Sequence, residues 1–255
     1  MNKFSYVIIG IISLATFILW KQAYKTQETH DTLETIIIGT NAEFEPFSFK
    51  KDTIITGFDI DVITEVFKRL DRKIIIKDMP FDALIPAIQM GKIHMIAAGM
   101  TPTEERAKRT LFTQPHLLGD PLAIISPKEA PLKTLDELKN KRVVVNEGYT
   151  ADTFISSLTG PYVIRISSSF ASDGILALQS GRADAYVTAL RPMEPYFTLF
   201  GKDNFTITPI PNTEESSAFA ISKHYPELRD YIQIMLDKME EDGTLTALKQ
   251  KWGFA

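Results

Sequence analysis

The sequence predicts an α/β fold made of two successive β/α units and closed by a helical tail. Three observations carry this. Short runs of β-branched residues alternate with stretches of helical period, as when Thr35–Gly39 is followed by Asp59–Leu70. The same alternation starts again after about residue 120. Gly91 and Gly181 stand just past predicted helix ends, where a left-handed residue closes a helix.

In order, Thr35–Gly39 (TIIIG) reads as a buried strand. Ile60, Ile63, Val66, Phe67 and Leu70 keep the i, i+3, i+4, i+7 spacing, so Asp59–Leu70 reads as an amphipathic helix. Lys73–Lys77 is a strand, Phe81–Met90 a helix and Ile93–Ala97 a strand. That β-α-β-α-β order predicts parallel strands joined by right-handed crossovers. In the second unit Pro121–Ser126 is extended, and Thr134 with Glu137 forms a capping box. Arg142–Val145 is a strand, Asn146–Thr150 a turn and Ala151–Leu158 a helix. Tyr162–Ile166 and Ala183–Thr188 are strands around a helix at Asp173–Ser180, and a further helix spans Pro192–Phe200. Ala218–Ser222 is extended. The tail is a helix striped by Leu228, Tyr231, Ile232, Met235 and Met239, broken at Gly243 and resumed over Leu245–Trp252.

The chain has 255 residues, enough for one large domain or two small ones. With 44% hydrophobic and 24% charged residues it has a globular composition. The absence of cysteine excludes disulfides, thiolate nucleophiles and cysteine-held metals. A net charge of −4 without a basic block argues against nucleic-acid binding. The four histidines, His30, His94, His116 and His224, are too scattered for a helical metal pair, so no metal or cofactor is expected. Val7–Trp20 is almost wholly apolar behind Lys3. At about 1.5 Å per residue it spans roughly 21 Å, short of the roughly 30 Å hydrocarbon core. Residues 1–27 therefore read as an export signal or retained N-terminal anchor, and residues 28–34 as a tether. Periplasmic or extracytoplasmic localisation follows.

Three segments that follow strands could bind a ligand, because ligands in α/β folds sit beyond the carboxyl ends of strands. In Gly99-Met100-Thr101-Pro102-Thr103-Glu104, Thr101 reads as the N-cap with Glu104 completing a capping box. A helix start of this kind attracts anions, and Arg106 one turn on could fork onto a carboxylate. In Asn41–Phe49, Phe44 could wall a cleft, with Phe81 opposite; two such rings suit a cationic ligand. Phe47 and Phe49 read as core. In Asn146–Thr150, Gly148 and Thr150 suit contacts across a cleft.

These pieces together resemble a known family. Ile38-Gly39-Thr40, Phe44-x-Pro46-Phe47, Gly57-Phe58-Asp59-Ile60-Asp61, Phe81–Pro86, the Gly99–Arg106 segment, Lys141–Thr150, Ser180–Ala185, and Pro226–Arg229 with Asp242-Gly243-Thr244 occur in the order seen in the polar amino-acid-binding proteins of bacterial ABC importers, the family 3 extracytoplasmic solute-binding proteins. The resemblance spans Thr35 to Trp252 and is greatest to arginine- and basic-amino-acid-binding members. It implies a two-lobed type II periplasmic-binding-protein fold, each lobe a mostly parallel sheet flanked by helices, with the ligand in the cleft. Lobe 1 would be 35–118 plus 213–255, and lobe 2 121–208, with hinge crossings near 119–120 and 209–212. It implies an Arg106 grip on the ligand carboxylate, helped by Gly99, Met100 and Thr101. Phe44 and Phe81 would flank the side chain, and Asn146 and Thr150 would close from lobe 2. Where the family often carries an aspartate before the aromatic pair this chain has Asn41, and Glu43 and Glu45 could instead reach a basic side chain. The implied partners are a free amino acid, arginine before lysine or ornithine, and a membrane permease, with the receptor monomeric.

One departure stands out. The family's aspartate for the ligand ammonium falls at Ala189, so either Thr188, Glu147 or Glu194 serves instead or the ligand is not an ordinary α-amino acid. Two other readings stay open: a cyclohexadienyl dehydratase-like enzyme on the same scaffold, or a ligand-sensing module.

Overall fold

The computed structural model describes residues 34–166 and 170–254. The predicted signal or anchor lies outside them, as does the tether apart from Glu34. Among the described residues no helix is long and apolar enough to cross a membrane.

The first part of the chain runs β1 (Thr35–Thr40), β2 (Glu43–Phe44), β3 (Ser48–Lys51), β4 (Ile54–Thr56), α1 (Phe58–Arg69), β5 (Lys73–Asp78), α2 (Phe81–Gln89), β6 (Met95–Ile96), α3 (Glu104–Ala107), β7 (Leu111–Phe112) and β8 (Leu117–Pro127). It continues as β9 (Arg142–Asn146), α4 (Thr150–Ser157), β10 (Tyr162–Ile166), α5 (Ala171–Gln179), β11 (Ala185–Ala189), α6 (Glu194–Phe200), β12 (Phe205–Ser217), β13 (Ala220–Ile221), α7 (Pro226–Glu241) and α8 (Thr244–Lys251).

Two five-stranded sheets result, ordered β5-β1-β6-β13-β7 and β10-β9-β11-β8-β12. Each is mixed rather than mostly parallel. β5, β1 and β6 are parallel, as are β10, β9 and β11, while β13 and β8 run antiparallel to their neighbours. The reason is connectivity. Helical crossovers return the chain to the same end of a sheet and make parallel pairs. β8 and β13 instead enter as the chain passes between the sheets. In the first sheet Ile36 and Ile38 point to α1, α7 and α8, and Ile96 and Ala220 to α2 on the other face, as the two-residue period of a strand requires. The second sheet likewise separates a cluster under α4 from one under α5 and α6. Glu43–Phe44, Ser48–Lys51 and Ile54–Thr56 form a small antiparallel meander where the sequence reads only as a loop.

β8 and β12 pair over most of their length, from Phe205 with Pro127 to Ser217 with Leu117. Their register shifts between Pro209 and Glu214, and again between Glu214 and Ser216. Asp184, in the Gly-Arg-Ala-Asp segment, accepts from both the backbone N–H and the guanidinium of Arg142, which ties β11 to β9. The Arg142 bonds hold its carboxyl below the usual range.

His94 closes the first sheet. Its Nδ1 accepts from the Ile37 N–H at 3.0 Å, so the ring must stay unprotonated there. Burial, and secondarily Lys77, lowers its pKa from the ordinary 6.5. The unfolded chain then binds the proton first as pH falls, so stability is full above the ordinary histidine value and declines below it. Urea midpoints of the parent chain are expected to drop from pH 7 to pH 5, with His94→Gln showing a smaller drop. Parallel pH profiles would remove His94 as the cause.

Candidate functional site

Arg106 lies in α3, the single turn that follows β6. Thr103 caps that turn: its hydroxyl accepts from the Arg106 N–H at 3.2 Å and its carbonyl from Ala107 at 2.8 Å. The predicted cap was Thr101. Its carbonyl is committed elsewhere, accepting from Arg106 Nη1 at 2.6 Å, so the helix starts two residues later. The guanidinium is buried, with Cζ 5.4 Å from the Phe81 ring centroid. Burial pushes its pKa down and nearby Glu215 pushes it back up. An arginine stays protonated under such opposing influences. The result is a buried cation able to fork onto an anion.

The turn between β9 and α4 faces it. Gly148 O accepts from Arg106 Nη2 at 3.0 Å. The Tyr149 ring sits edge-on between Phe81, at 4.5 Å between centroids, and Phe44, at 5.6 Å. Its hydroxyl donates to Asn41 Oδ1 at 3.3 Å. The Thr150 hydroxyl donates to Glu215. Tyr149 thus leaves the second sheet and packs into the first lobe's core cluster. Gly148 makes the approach possible. Its φ is +78°, and a Cβ there would lie 3.2 Å from Asp82 Cβ, so a side chain would meet both strain and contact.

Beyond Asn41 the slot ends in charge. Burial, then Asp78, raises the Glu43 carboxyl pKa, while Asn41 and Lys50 pull it down. From Arg106 outward the site is therefore a cation, an aromatic slot, an amide and a carboxyl group.

Residues 36–255 match the family described as bacterial extracellular solute-binding proteins, family 3. The chain belongs to that family. Among its relatives, the arginine-binding extracellular protein ArtP of Bacillus subtilis (strain 168) is 27% identical over 97% of each chain. A putative ABC transporter arginine-binding protein 2 of Escherichia coli (strain K12) is 30% identical over 86% of this chain and 90% of its own. An ancestral arginine-binding protein solved with arginine superposes with a TM-score of 0.79 at 34% identity, covering 86% of this chain and 98% of its own. An ancestral amino-acid-binding protein described as a precursor of cyclohexadienyl dehydratase superposes with a TM-score of 0.76 at 31% identity, over 89% of this chain and 99% of its own. This solute-binding protein thus has the two-lobed type II architecture.

Within it, Phe44, Phe81 and Asn41 meet through Tyr149, Glu43 adjoins Asn41, Thr101 and Phe81 contact Arg106, and Thr150 bonds Glu215. Three predicted site residues stand differently. Met100 is fully buried among Phe44, Phe81 and Leu84, and its carbonyl accepts from Ala218, so it is core. Gly99 adjoins the site, but its N–H donates to Asp59 Oδ2 at 2.6 Å and is already committed. Asn146 Oδ1 accepts from Tyr186 at 2.6 Å, which braces the turn from within the second lobe. Of the residues named for the ammonium, Thr188 is buried in β11 and Glu194 pairs with Lys202 at 3.3 Å. Glu147 is exposed. Phe47 stacks on Phe44 at 5.3 Å, and Phe49 meets Trp252 edge-on.

Sequence reasoning missed Asp59, Tyr149 and Glu215. Asp59 reads as an ordinary first-turn acid of a helix. Its carboxylate is in fact fully buried, accepting from Gly99, from the Ser217 hydroxyl and facing His116 Nε2 at 3.0 Å. Tyr149 carried a signal, since a large ring beside a turn glycine needs cover. Glu215 carried none, because a polar β12 segment looks like a loop.

Replacing Asp59 by alanine leaves those buried donors unpaired, and hydrogen bonds to a charge contribute roughly 1.5–3 kcal/mol each. Urea unfolding of Asp59→Ala is expected to show a loss of about 3 kcal/mol, with Asp59→Asn less affected. A loss below about 1 kcal/mol would mean the donors find other partners.

Proposed function

We propose that this protein is the extracytoplasmic receptor of an ABC importer that captures a cationic amino acid, arginine before lysine or ornithine, and delivers it to a membrane permease. We read it as a monomeric binding protein rather than an enzyme. The observation that carries this is the way its own turn fills the cleft: a carbonyl on Arg106, a ring between Phe81 and Phe44, and a hydroxyl on Asn41. An amino acid lying along that line would put its carboxylate on Arg106, its side chain in the aromatic slot and a cationic end near Glu43. The arginine-binding relatives support the same reading.

Capture on this reading is hinge closure. Lobe 1 is 35–118 with 213–255, lobe 2 is 121–208, and they pivot at crossings near 119–120 and 209–212. The register shifts of the β8–β12 ladder are consistent with flexing there. Arg106, Thr101, Phe44, Phe81, Asn41 and Glu43 hold the ligand on lobe 1, and Thr150 joins from lobe 2.

Thermal melts of the full chain, refolded to strip carried-over ligand, test this against the standard amino acids, ornithine and prephenate. A ligand at about a thousand times its Kd adds roughly 4 kcal/mol, a Tm rise of roughly 8–16 °C at this size. Arginine is expected to give that rise in the parent and none in Arg106→Ala. A rise with prephenate alone would favour the dehydratase-like reading, and a flat panel would sink the amino-acid reading.

Tyr149 must swing out for a ligand to enter, so it competes with binding. Tyr149→Ala is expected to destabilise the empty protein by about 3 kcal/mol while tightening arginine binding in calorimetry, because the competent state no longer has to be opened. Weaker binding would instead make the ring part of the ligand's own wall.

A further inference from the structure

We propose that Glu215 binds the α-ammonium of the ligand, which makes this a site for α-amino acids rather than for simple carboxylates. The proposal rests on the reading that Arg106 takes the carboxylate. An α-amino acid carries both charges on one carbon, so a site that buries the carboxylate buries the ammonium beside it. A buried ammonium without an acceptor is costly.

Beside the loop that carries Arg106 lies a small cavity whose lining includes Phe44, Gly99, Ala189, Arg191 and Glu215. Among the described lining residues Glu215 brings the only carboxylate. Ala189 offers a methyl group. The Arg191 guanidinium is turned to the C-terminal end, where it lies 4.7 Å from the Phe254 ring and donates to Gly253 O at 2.9 Å.

Backbone geometry aims Glu215 at this cavity. It sits between Glu214, paired with Pro121, and Ser216, paired with Leu118, where the ladder register shifts. Such irregularities re-aim a side chain out of the regular alternation. Gly119 keeps the strands close enough, since a Cβ there would lie 2.8 Å from Glu215 O. The charges are also complementary. Glu215 raises the Arg106 pKa against the effect of burial. A ligand ammonium on Glu215 beside a carboxylate on Arg106 would keep that pairing of opposite charges. The carboxylate already accepts from Thr150 of the second lobe, and with about four lone-pair sites it can accept the ammonium as well. Ammonium binding and lobe closure thereby meet at one group.

The test is calorimetry on the full chain with L-arginine and with 5-guanidinopentanoate, which lacks only the amino group. The parent is expected to prefer L-arginine by roughly 10- to 100-fold, the range of a hydrogen bond to a charge. Glu215→Gln keeps the length and a group that accepts from Thr150. It should weaken L-arginine by that factor relative to 5-guanidinopentanoate, since any effect through Arg106 or Thr150 is shared by both ligands. Equal weakening of both ligands, or of neither, overturns the assignment. A parent that binds both equally also overturns it while leaving the Arg106 reading intact, whereas a parent that binds neither overturns that reading and this one with it. Ala189→Asp, added to Glu215→Gln, should restore the preference from another position in the lining of the cavity. No restoration would overturn the choice of this cavity.

Discussion

The Asp59 carboxylate, fully buried at the start of α1, holds together the parts of the first lobe that the site depends on. One oxygen takes the Gly99 N–H, fixing the loop after β6. The other faces His116 Nε2 at the start of β8, and the Ser217 hydroxyl at the end of β12 reaches both. Both strands that leave for the second lobe are thus tied to the same anion as the binding loop. The first turn of a helix is a favourable place for an anion, which offsets part of the cost of burying it. With Gly99 so fixed at φ +59°, Phe44 packs directly on its backbone, and Phe47 stacks behind. Thr101 and Arg106 then follow at set positions.

Much of this fold is legible because burial imposes period. α1 shows its core face as Ile60, Ile63, Val66 and Phe67, and β1 and β5 as isoleucine runs. Gly91 and Gly181 do have positive φ, +67° and +65°. What failed to show was short or irregular. Strands of two residues, such as β2 and β7, are too brief to alternate. β12 is mostly polar and partly exposed, so its 13 residues carry no hydrophobic signal. The cap of α3 was misplaced because Thr101 and Thr103 are chemically equivalent, and only the folded contacts separate them: Thr103 takes the Arg106 and Ala107 backbone N–H groups while the Thr101 carbonyl takes the Arg106 guanidinium.

The candidate site was half legible for a related reason. Arg106, Phe44 and Phe81 are residue types that attract notice where they stand. Glu215 lies far along the chain from all three, and only the return of β12 beside β8 brings it near Arg106. Tyr149 illustrates a second limit. Its neighbours in sequence belong to the second lobe, yet its ring belongs to the first lobe's core. A side chain that crosses between lobes cannot be assigned from the element that carries it.

The place of β13 also sets an order of assembly. It lies inside the first sheet, between β6 and β7, though it comes from the far side of the second lobe. The strands of the second sheet all fall within Leu117–Ser217, so that unit is complete once they have been synthesised. The first sheet must wait for Ile221, and its helical cover of α7 and α8 for longer still. Pairing β6 with a strand on the order of a hundred residues away closes a long loop, which slows folding. The lobe that carries Arg106 therefore cannot complete its sheet until the chain has passed Ile221, whereas the second sheet needs nothing beyond Ser217.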